Sequence, residues 1–498
     1  MDGFALAFQW LFANPFAFVV IFGGLAAGIV LGAMPGLTGS AGIAIAIPLT
    51  FVMDPISAIL MLTGIYIGSV FGGSITAILF NTPASPEAAC TTLDGYPMAK
   101  RGEGGKALGA AVGASAFGGA VSVLFLALMA PPLARVALTF GAAEYFALAF
   151  IGISVISSLE AKSYWKSLCV GLMGLMLAIV GLDPLSAATR FTFGVSGLIA
   201  GFHFMPVIIG MFAIGEILTR AESRGLGVFE FGGEISKMKV SVQLPSLKEW
   251  LGVRWSLFRG ILVGLIIGIL PGVGATTAAF VAYSEEVRWS KDPKKYGTGV
   301  MEGIVAPESS TNVAACGSMI PLLALGIPGS ASTAVMIGGL MIHGIRPGPL
   351  MMVQQREMVY AIFVTMFLAN VATLVLGVFA VRFFAAALKV HYTILAPIIA
   401  VLCVIGVFSL NNSTFEVTML IYFGILGYFF KKYDFPVAPL IIGMVLGSLA
   451  ETNLRRALAL TQGDVFATFT RPITAFLMLL GIASLAYGFY KNLIKKPS

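Results

Sequence analysis

Long apolar runs alternate with short polar or basic stretches along the whole chain. Phe16 to Ala33, Ala107 to Met129, Tyr145 to Ser157, Leu198 to Leu218, Val359 to Val381 and Ile473 to Tyr490 are runs of this kind. They approach the roughly 17–25 residues that a helix needs to cross a bilayer. Apolar–polar alternation with a period of two, which marks a spanning strand, is absent. The pattern predicts an all-α polytopic membrane protein with roughly 11–15 membrane segments.

Composition agrees with this class. Of 498 residues 58% are hydrophobic and 11% charged, against roughly 25% charged in soluble proteins. The net charge of +7 would suit a nucleic-acid binder. Here, however, the Lys and Arg residues sit in short loops between apolar runs, the positive-inside distribution, and nucleic acid is not expected as a partner. Cys90, Cys169, Cys316 and Cys403 are scattered and form no CxxC pair, which fits small apolar residues inside helices. The start MDGFALAFQW has no basic n-region, so no cleaved signal peptide is expected. Gly105-Lys106 is followed by Ala107 and lacks the glycine of a phosphate loop, so ATP-driven transport is set aside.

An internal repeat organises the chain. Residues 24–36 read GLAAGIVLGAMPG and residues 260–272 read GILVGLIIGILPG. Gly24, Gly28, Gly32, Pro35 and Gly36 match Gly260, Gly264, Gly268, Pro271 and Gly272 without a gap. Asp54-Pro55 then corresponds to Asp292-Pro293, and Asn81-Thr82-Pro83 to Gly326-Ile327-Pro328. This divides the chain into a first repeat at 1–220, a linker at 221–254 and a second repeat at 255–498. The loop FVMDPISA lacks basic residues where its counterpart RWSKDPKKYG is basic; the loops DGYPMAKRGEGGKA and HGIRPGPLMMVQQRE reverse that order. The basic side switches, as inverted topology requires. With the N-terminus outside, Lys100, Arg101, Lys106, Arg288, Lys291, Lys294 and Lys295 are cytoplasmic, while Arg135, Arg190, Arg455 and Arg456 are exceptions outside. The linker reads as a cytoplasmic segment with an interfacial helix toward its end.

The GxxxGxxxG runs bring small residues to one helix face and suit close helix packing. Each ends in Pro-Gly, which breaks the helix inside the apolar zone, where bare backbone is tolerated only against protein or a polar cavity. The stretches GGSITAILFNTPASP and ESSTNVAACGSMIPLLALGIPGS add hydroxyls, amides and prolines at membrane depth. Asn81 or Thr82 would cap a helix starting at Pro83, and Pro328 would start another. Helices beginning there aim unpaired N–H groups and the positive dipole end at the membrane interior, a site for an anion without a buried lysine. Opposite half-helix ends supply carbonyls for a coupling cation. Glu308, beside Ser309-Ser310-Thr311-Asn312, suits a cation or a proton, and equally a helix end in water. Asp94 in DGYP reads as a turn or cap residue. His203 and His343 read as structural. No HExxH, paired carboxylates or Ser/His/Asp pattern is present, so no enzyme activity is expected.

Three segments carry a family resemblance: PGLTGSAGIAIAIPLTF, YIGSVFGGSITAILFNTPASPEAACTTLDGYPMAKRGEGGKALG and APESSTNVAACGSMIPLLALGIPGSASTAVMIGGLMIHGIRPGP. Over essentially the whole chain the sequence resembles the TctA-type large membrane subunit of the tripartite tricarboxylate transporters. That resemblance implies a secondary active transporter of the bacterial inner membrane. Its partners would be a small four-span membrane subunit and a periplasmic substrate-binding protein. Small di- or tricarboxylates would enter by symport with H+ or Na+, without a cofactor, and a homo-oligomer is compatible with it. Ala84 departs from the glycine that follows the proline in the family's NTPG turn, and Thr311 precedes Asn312 where paired asparagines are common. Carried over residue by residue, the substrate site would comprise Ser74, Thr76, Asn81, Thr82, Pro83, Ser309, Ser310, Thr311, Asn312, Ser318, Pro328, Gly329 and Ser330. Gly36, Thr38, Gly272, Thr276 and Glu308 would serve the coupling cation. The competing readings are a single-component cation/proton exchanger, which generally needs intramembrane acidic or basic relays, a membrane-embedded enzyme and a structural scaffold.

Overall fold

A computed structural model describes residues 2–34, 37–156, 164–183, 188–222, 241–387 and 392–494. Gly36, one of the cation residues expected above, and most of the linker lie outside the described residues. The first part contains α1 (Asp2–Ala13), α2 (Phe16–Ala33), α3 (Gly39–Thr50) and α4 (Pro55–Phe80). A 3-10 turn at Pro86–Ala88 leads into α5 (Ala89–Met98), followed by α6 (Gly104–Ala137), α7 (Ala142–Ile156) and α8 (Tyr164–Ala178). A minimal antiparallel pair, β1 (Gly181–Leu182) and β2 (Thr189–Arg190), precedes α9 (Phe204–Ile209) and α10 (Gly215–Glu222). Then come α11 (Leu247–Gly252), α12 (Arg254–Ile269), α13 (Gly274–Trp289), α14 (Glu302–Gly317), α15 (Met319–Leu325) and α16 (Ala331–Ile342). The chain continues with α17 (Pro349–Gln354), α18 (Arg356–Ala387), α19 (Tyr392–Asn411), α20 (Thr414–Lys432), α21 (Ala438–Leu460), α22 (Val465–Phe469) and α23 (Pro472–Ile494).

Six of the described helices are long and apolar enough to cross a membrane, and seven shorter ones are apolar. The chain is an all-α, multi-pass membrane protein. One apolar run is not one helix: Leu198–Leu218 is broken at Gly201, whose φ is +77°, and helix resumes only at Phe204. Pro206 sits in the first turn of α9, where its missing N–H has no intrahelical acceptor to lose. At the end of the linker, α11 forms behind a capping box in which Ser246 and Glu249 bond each other's backbone N–H.

Glycine sets the central packing. A methyl group on Gly24 would lie 2.6 Å from the Met61 carbonyl, and one on Gly264 would lie 2.6 Å from the Ser310 carbonyl. Gly28 and Gly32 meet the Ile65 and Ser69 backbones, while Gly260 and Gly268 meet Ala306 and Ala314. Positions rise together along both partners, so α2 runs parallel to α4 and α12 runs parallel to α14. Each of α3 and α13 therefore doubles back toward the side its chain came from. The C-terminal ends of α4 and α15 also close alike. Asn81 (φ 54°) and Gly326 (φ +76°) close α4 and α15 in left-handed conformation. The bond Thr82 N–H to Thr76 O (3.4 Å) has its counterpart in Ile327 N–H to Pro321 O (3.2 Å).

The two parallel pairs point in opposite directions. Ser74 of α4 meets Glu308 of α14, whereas Tyr66, earlier in α4, meets Ala315 and Ser318, later in the chain. Helices α4 and α14 are thus antiparallel.

Candidate functional site: a cavity where helix N-termini meet

Helix α3 is capped by Thr38, whose hydroxyl accepts from Ala41 N–H (3.4 Å) and lies 2.8 Å from Ser40 Oγ. After the Gly-Ile-Pro-Gly break, Ser330 caps α16: its hydroxyl accepts from Thr333 N–H (3.2 Å), and Thr333 Oγ1 accepts from Ser330 N–H (2.8 Å). The starts of α3 and α16 touch, because a methyl on Gly39 would lie 3.2 Å from Ser332 Oγ. Gly272 N–H donates to Gly329 O at 3.0 Å, tying the start of α13 to the same place. Pro86 and Glu87 bring in the turn that leads into α5.

These four starts surround a partly open cavity of about 60 Å³, floored by Tyr66 and Val70 of α4 and Ala315 of α14. Its lining contains Glu87 and no Lys, Arg or His. Helices α3 and α16 run outward together and meet again where His343 Nε2 lies 3.2 Å from Thr50 Oγ1. Helices α5 and α13 run to the opposite side and meet where the Tyr283 hydroxyl donates to Asp94 Oδ2 at 2.9 Å. Positive dipole ends from both sides thus converge on one point, with Thr38, Ser40, Thr276, Ser330 and Ser332 presenting hydroxyls there. Room for a few waters suffices for one carboxylate group. Four roomier hollows, of about 290, 310, 570 and 670 Å³, are lined by residues of neither the Pro271-Gly272 nor the Gly-Ile-Pro-Gly break.

Tyr66 bridges the cavity floor, with its hydroxyl 3.1 Å from Ala315 O, 3.0 Å from Ser318 Oγ and 3.4 Å from Ser330 Oγ. Deeper along the α4–α14 contact, Glu308 is buried. Its Oε1 accepts from Ser74 and Thr91 (2.5 Å each) and its Oε2 from Ser115 (2.9 Å). The three hydroxyls come from α4, α5 and α6.

The expected site residues fall into separate groups. Thr38, Thr276 and Ser330 line the cavity. Gly272, Gly329 and Ser318 support it: Gly272 bonds Gly329, Ser318 bonds Tyr66, and Ser318 is what a methyl on Gly329 would strike; Pro328 is buried next to Gly329 and does not line it. Ser74 and Glu308 belong to the buried carboxylate cluster. Ser309 and Thr311 donate to carbonyls of their own helix, as Ser310 does to Ala278 of α13, so these hydroxyls are spent on packing. Asn312 is buried, and its Nδ2 has no hydrogen-bond partner. Thr76, Asn81, Thr82 and Pro83 form the closing turn of α4; Asn81 is exposed, and none of them lines the cavity.

The helix starts need correction. No helix begins at Pro83 or Pro328. The turns begin at Pro86 and at Ala331, because left-handed Asn81 and Gly326 must first be followed by extended chain that returns toward the centre. Glu308 does not sit at a helix end in water. Asp94 is neither a turn nor a cap; it lies within α5. Its Oδ1 accepts from the N–H groups of Gly297 (3.0 Å), Gly299 (2.8 Å) and Val300 (3.0 Å), clamping the loop before α14. Ser40, Ser332, Glu87 and Tyr66 were not anticipated. The first two had a signal, since Thr38-Gly39-Ser40 and Ser330-Ala331-Ser332 share a hydroxyl-x-hydroxyl pattern just after a break. Tyr66 and Ser115 are single polar residues inside apolar helices, and Thr91 sits in the short polar helix α5, with no linear pattern to mark any of them.

The described residues hold no group of three or more His, Cys, Asp or Glu suited to a metal ion. The four cysteines are unpaired and lie within helices.

Comparison with known proteins places this architecture. Over 483 residues, 97% of this chain and 95% of the relative, the sequence is 38% identical to the "Uncharacterized 52.8 kDa protein in TAR-I ttuC' 3'region" of Agrobacterium vitis. A second protein of that organism, "Uncharacterized protein in TAR-II ttuC' 3'region", is 39% identical over 219 residues, 44% of this chain and 90% of the relative. No solved structure matches. Residues 18–442 match the tripartite tricarboxylate transporter TctA family, and the chain belongs to that family of membrane transport proteins.

Proposed function

We propose that this chain is the translocating subunit of a secondary transporter that imports small organic anions, di- or tricarboxylates, on a cation gradient. The observation that carries this reading is the convergence of helix starts from both halves on one partly open, hydroxyl-lined cavity without a basic side chain. Bare N–H groups and dipole ends supply the positive potential that an anion needs, without the desolvation cost of a lysine. A whole tricarboxylate does not fit in about 60 Å³, so loading requires the tips to part. Moving the α3–α16 pair away opens the cavity to one side, and moving the α5–α13 pair opens it to the other. Inversion of the two halves makes these motions equivalent. Glu87 shares the cavity with the substrate, and its charge is compatible with a carboxylate when a cation or proton accompanies both.

A periplasmic binding protein and a small four-span subunit as partners, and residence in a bacterial inner membrane, follow from family membership as part of this proposal. The test is uptake into proteoliposomes containing this chain and the small subunit, with the binding protein added outside. Labelled carboxylate should accumulate under an imposed proton or sodium gradient. Accumulation that ignores both gradients refutes secondary transport.

A further inference from the structure

We propose that Glu308 is the coupling-ion carrier and that the ion is a proton; this rests on the transport reading above. The carboxyl is buried where α4, α5 and α6 meet α14, with three hydroxyl donors around it. Among the described residues no ion pair includes it. The titratable groups on the surrounding helices are engaged elsewhere or neutral. On α5, Cys90 is a buried thiol and Asp94 holds the 297–300 loop. Tyr66 of α4 bonds the cavity floor, and Tyr283 of α13 bonds Asp94. Arg259 of α12 pairs with Glu286 of α13, Lys106 of α6 with Glu249, and Lys295 with Glu302 of α14. A carboxylate at this depth without a counter-charge is costly, and a proton removes that cost.

The cage itself favours a proton over a metal cation. Serine and threonine hydroxyls donate to a carboxylate and, by rotating, accept from a carboxylic acid. Ser74, Thr91 and Ser115 can therefore satisfy both forms of Glu308 without moving a heavy atom. Amide or guanidinium donors cannot do this. Sodium would need several further oxygen ligands, and the hydroxyl groups already lie 2.5–2.9 Å from the carboxyl oxygens.

Communication with the substrate runs along one face of α14. Glu308, Asn312 and Ala315 follow at helical spacing, about 10 Å from first to last at 1.5 Å per residue. Ala315 lines the cavity, and the Asn312 amide between them has an unused donor in a buried position. Loading adds a proton to a Glu308 carboxyl oxygen from water on the substrate-entry side; release returns it to water on the other side. Net charge is conserved throughout.

The experiment compares wild type, Glu308→Gln and Glu308→Asp in proteoliposomes with the partner proteins, reading two quantities for a labelled carboxylate. One is accumulation under a pH gradient; the other is exchange of internal for external substrate with no gradient. Glutamine imitates the protonated form, so exchange should persist within about threefold of wild type while accumulation is lost. Aspartate should keep proton-driven accumulation, with its pH profile displaced toward lower pH by about 0.4 unit, the difference between the two free acids. Concentrative uptake by Glu308→Gln, an unchanged profile in Glu308→Asp, or wild-type accumulation that follows sodium at fixed pH overturns the inference. Should the glutamine variant fail to fold, the aspartate profile decides. Absence of exchange in wild type overturns the transport reading itself, and this inference with it.

Discussion

Replacing Asp94 tests how the two halves are held together. Its carboxylate, fully buried, is the acceptor for three N–H groups of one loop, those of Gly297, Gly299 and Val300, and for the Tyr283 hydroxyl. Gly297 and Gly299 adopt φ of +79° and +100°, which turns their N–H groups to the same side as a concave nest for an anion. The loop's carbonyls are taken by Arg101, which donates to Thr298 O (2.5 Å) and Gly299 O. Asp94→Ala leaves those donors without an acceptor. Gly297 is exposed, so water can replace the carboxylate there; Gly299 is buried and Val300 half-buried. At roughly 1–3 kcal/mol per unsatisfied buried group, the expected loss is about 2–5 kcal/mol. Asp94→Asn keeps an oxygen acceptor in place and loses only the charge assistance, about 1–2 kcal/mol. Thermal unfolding in detergent, with limited proteolysis of the 297–300 loop, should rank wild type above Asn and Asn above Ala. Equal damage from both variants, or no damage from alanine, would refute the clamp.

Other outcomes follow from single contacts. Gly264→Ala puts a methyl 2.6 Å from Ser310 O and 2.7 Å from Val313 Cβ, and should cost about 1–3 kcal/mol by forcing α12 and α14 apart. Gly23→Ala meets nothing within 4 Å and should be neutral or up to about 1 kcal/mol more stable; the same melts check both. Tyr66→Phe removes the hydroxyl that joins Ala315 and Ser318; it should raise the KM for uptake more than it lowers melting temperature. Lys106, with help from Ser246, holds the Glu249 carboxyl down to about 2. A depressed acid stabilises above its unfolded value and loses that contribution as pH falls toward the folded one. The α11–α6 contact should therefore persist through neutral pH and loosen only between about 4.3 and 2, as read by Trp250 fluorescence.

Close helix contact was readable because only glycine permits it, so a GxxxG register survives in the sequence as spacing. The break at Pro271-Gly272 was readable because Pro-Gly can serve few other purposes at membrane depth, and the reversal of basic loops carried the relative direction of the halves. Lateral position was not readable. Asn81 and Gly326 recur at matching places, yet that recurrence encodes a left-handed helix stop, which asparagine and glycine both tolerate. The hydroxyls of Ser309 and Thr311 look like ligands in a linear reading but bond their own helix one turn back. The partners of Glu308 come from three helices, and no spacing along the chain links them.

Substrate protection measures the location of the site most directly. In a background where Cys169, the exposed native cysteine, is serine, single cysteines replace Ser40, Ser332 and Asn81. The rate of alkylation is then followed with and without saturating carboxylate. Cavity positions Ser40 and Ser332 should be shielded by substrate while Asn81, at the outer end of α4, reacts at the same rate in both conditions. Shielding of Asn81 alone, with the two cavity positions unaffected by bound substrate, would contradict convergence of the helix starts on the anion.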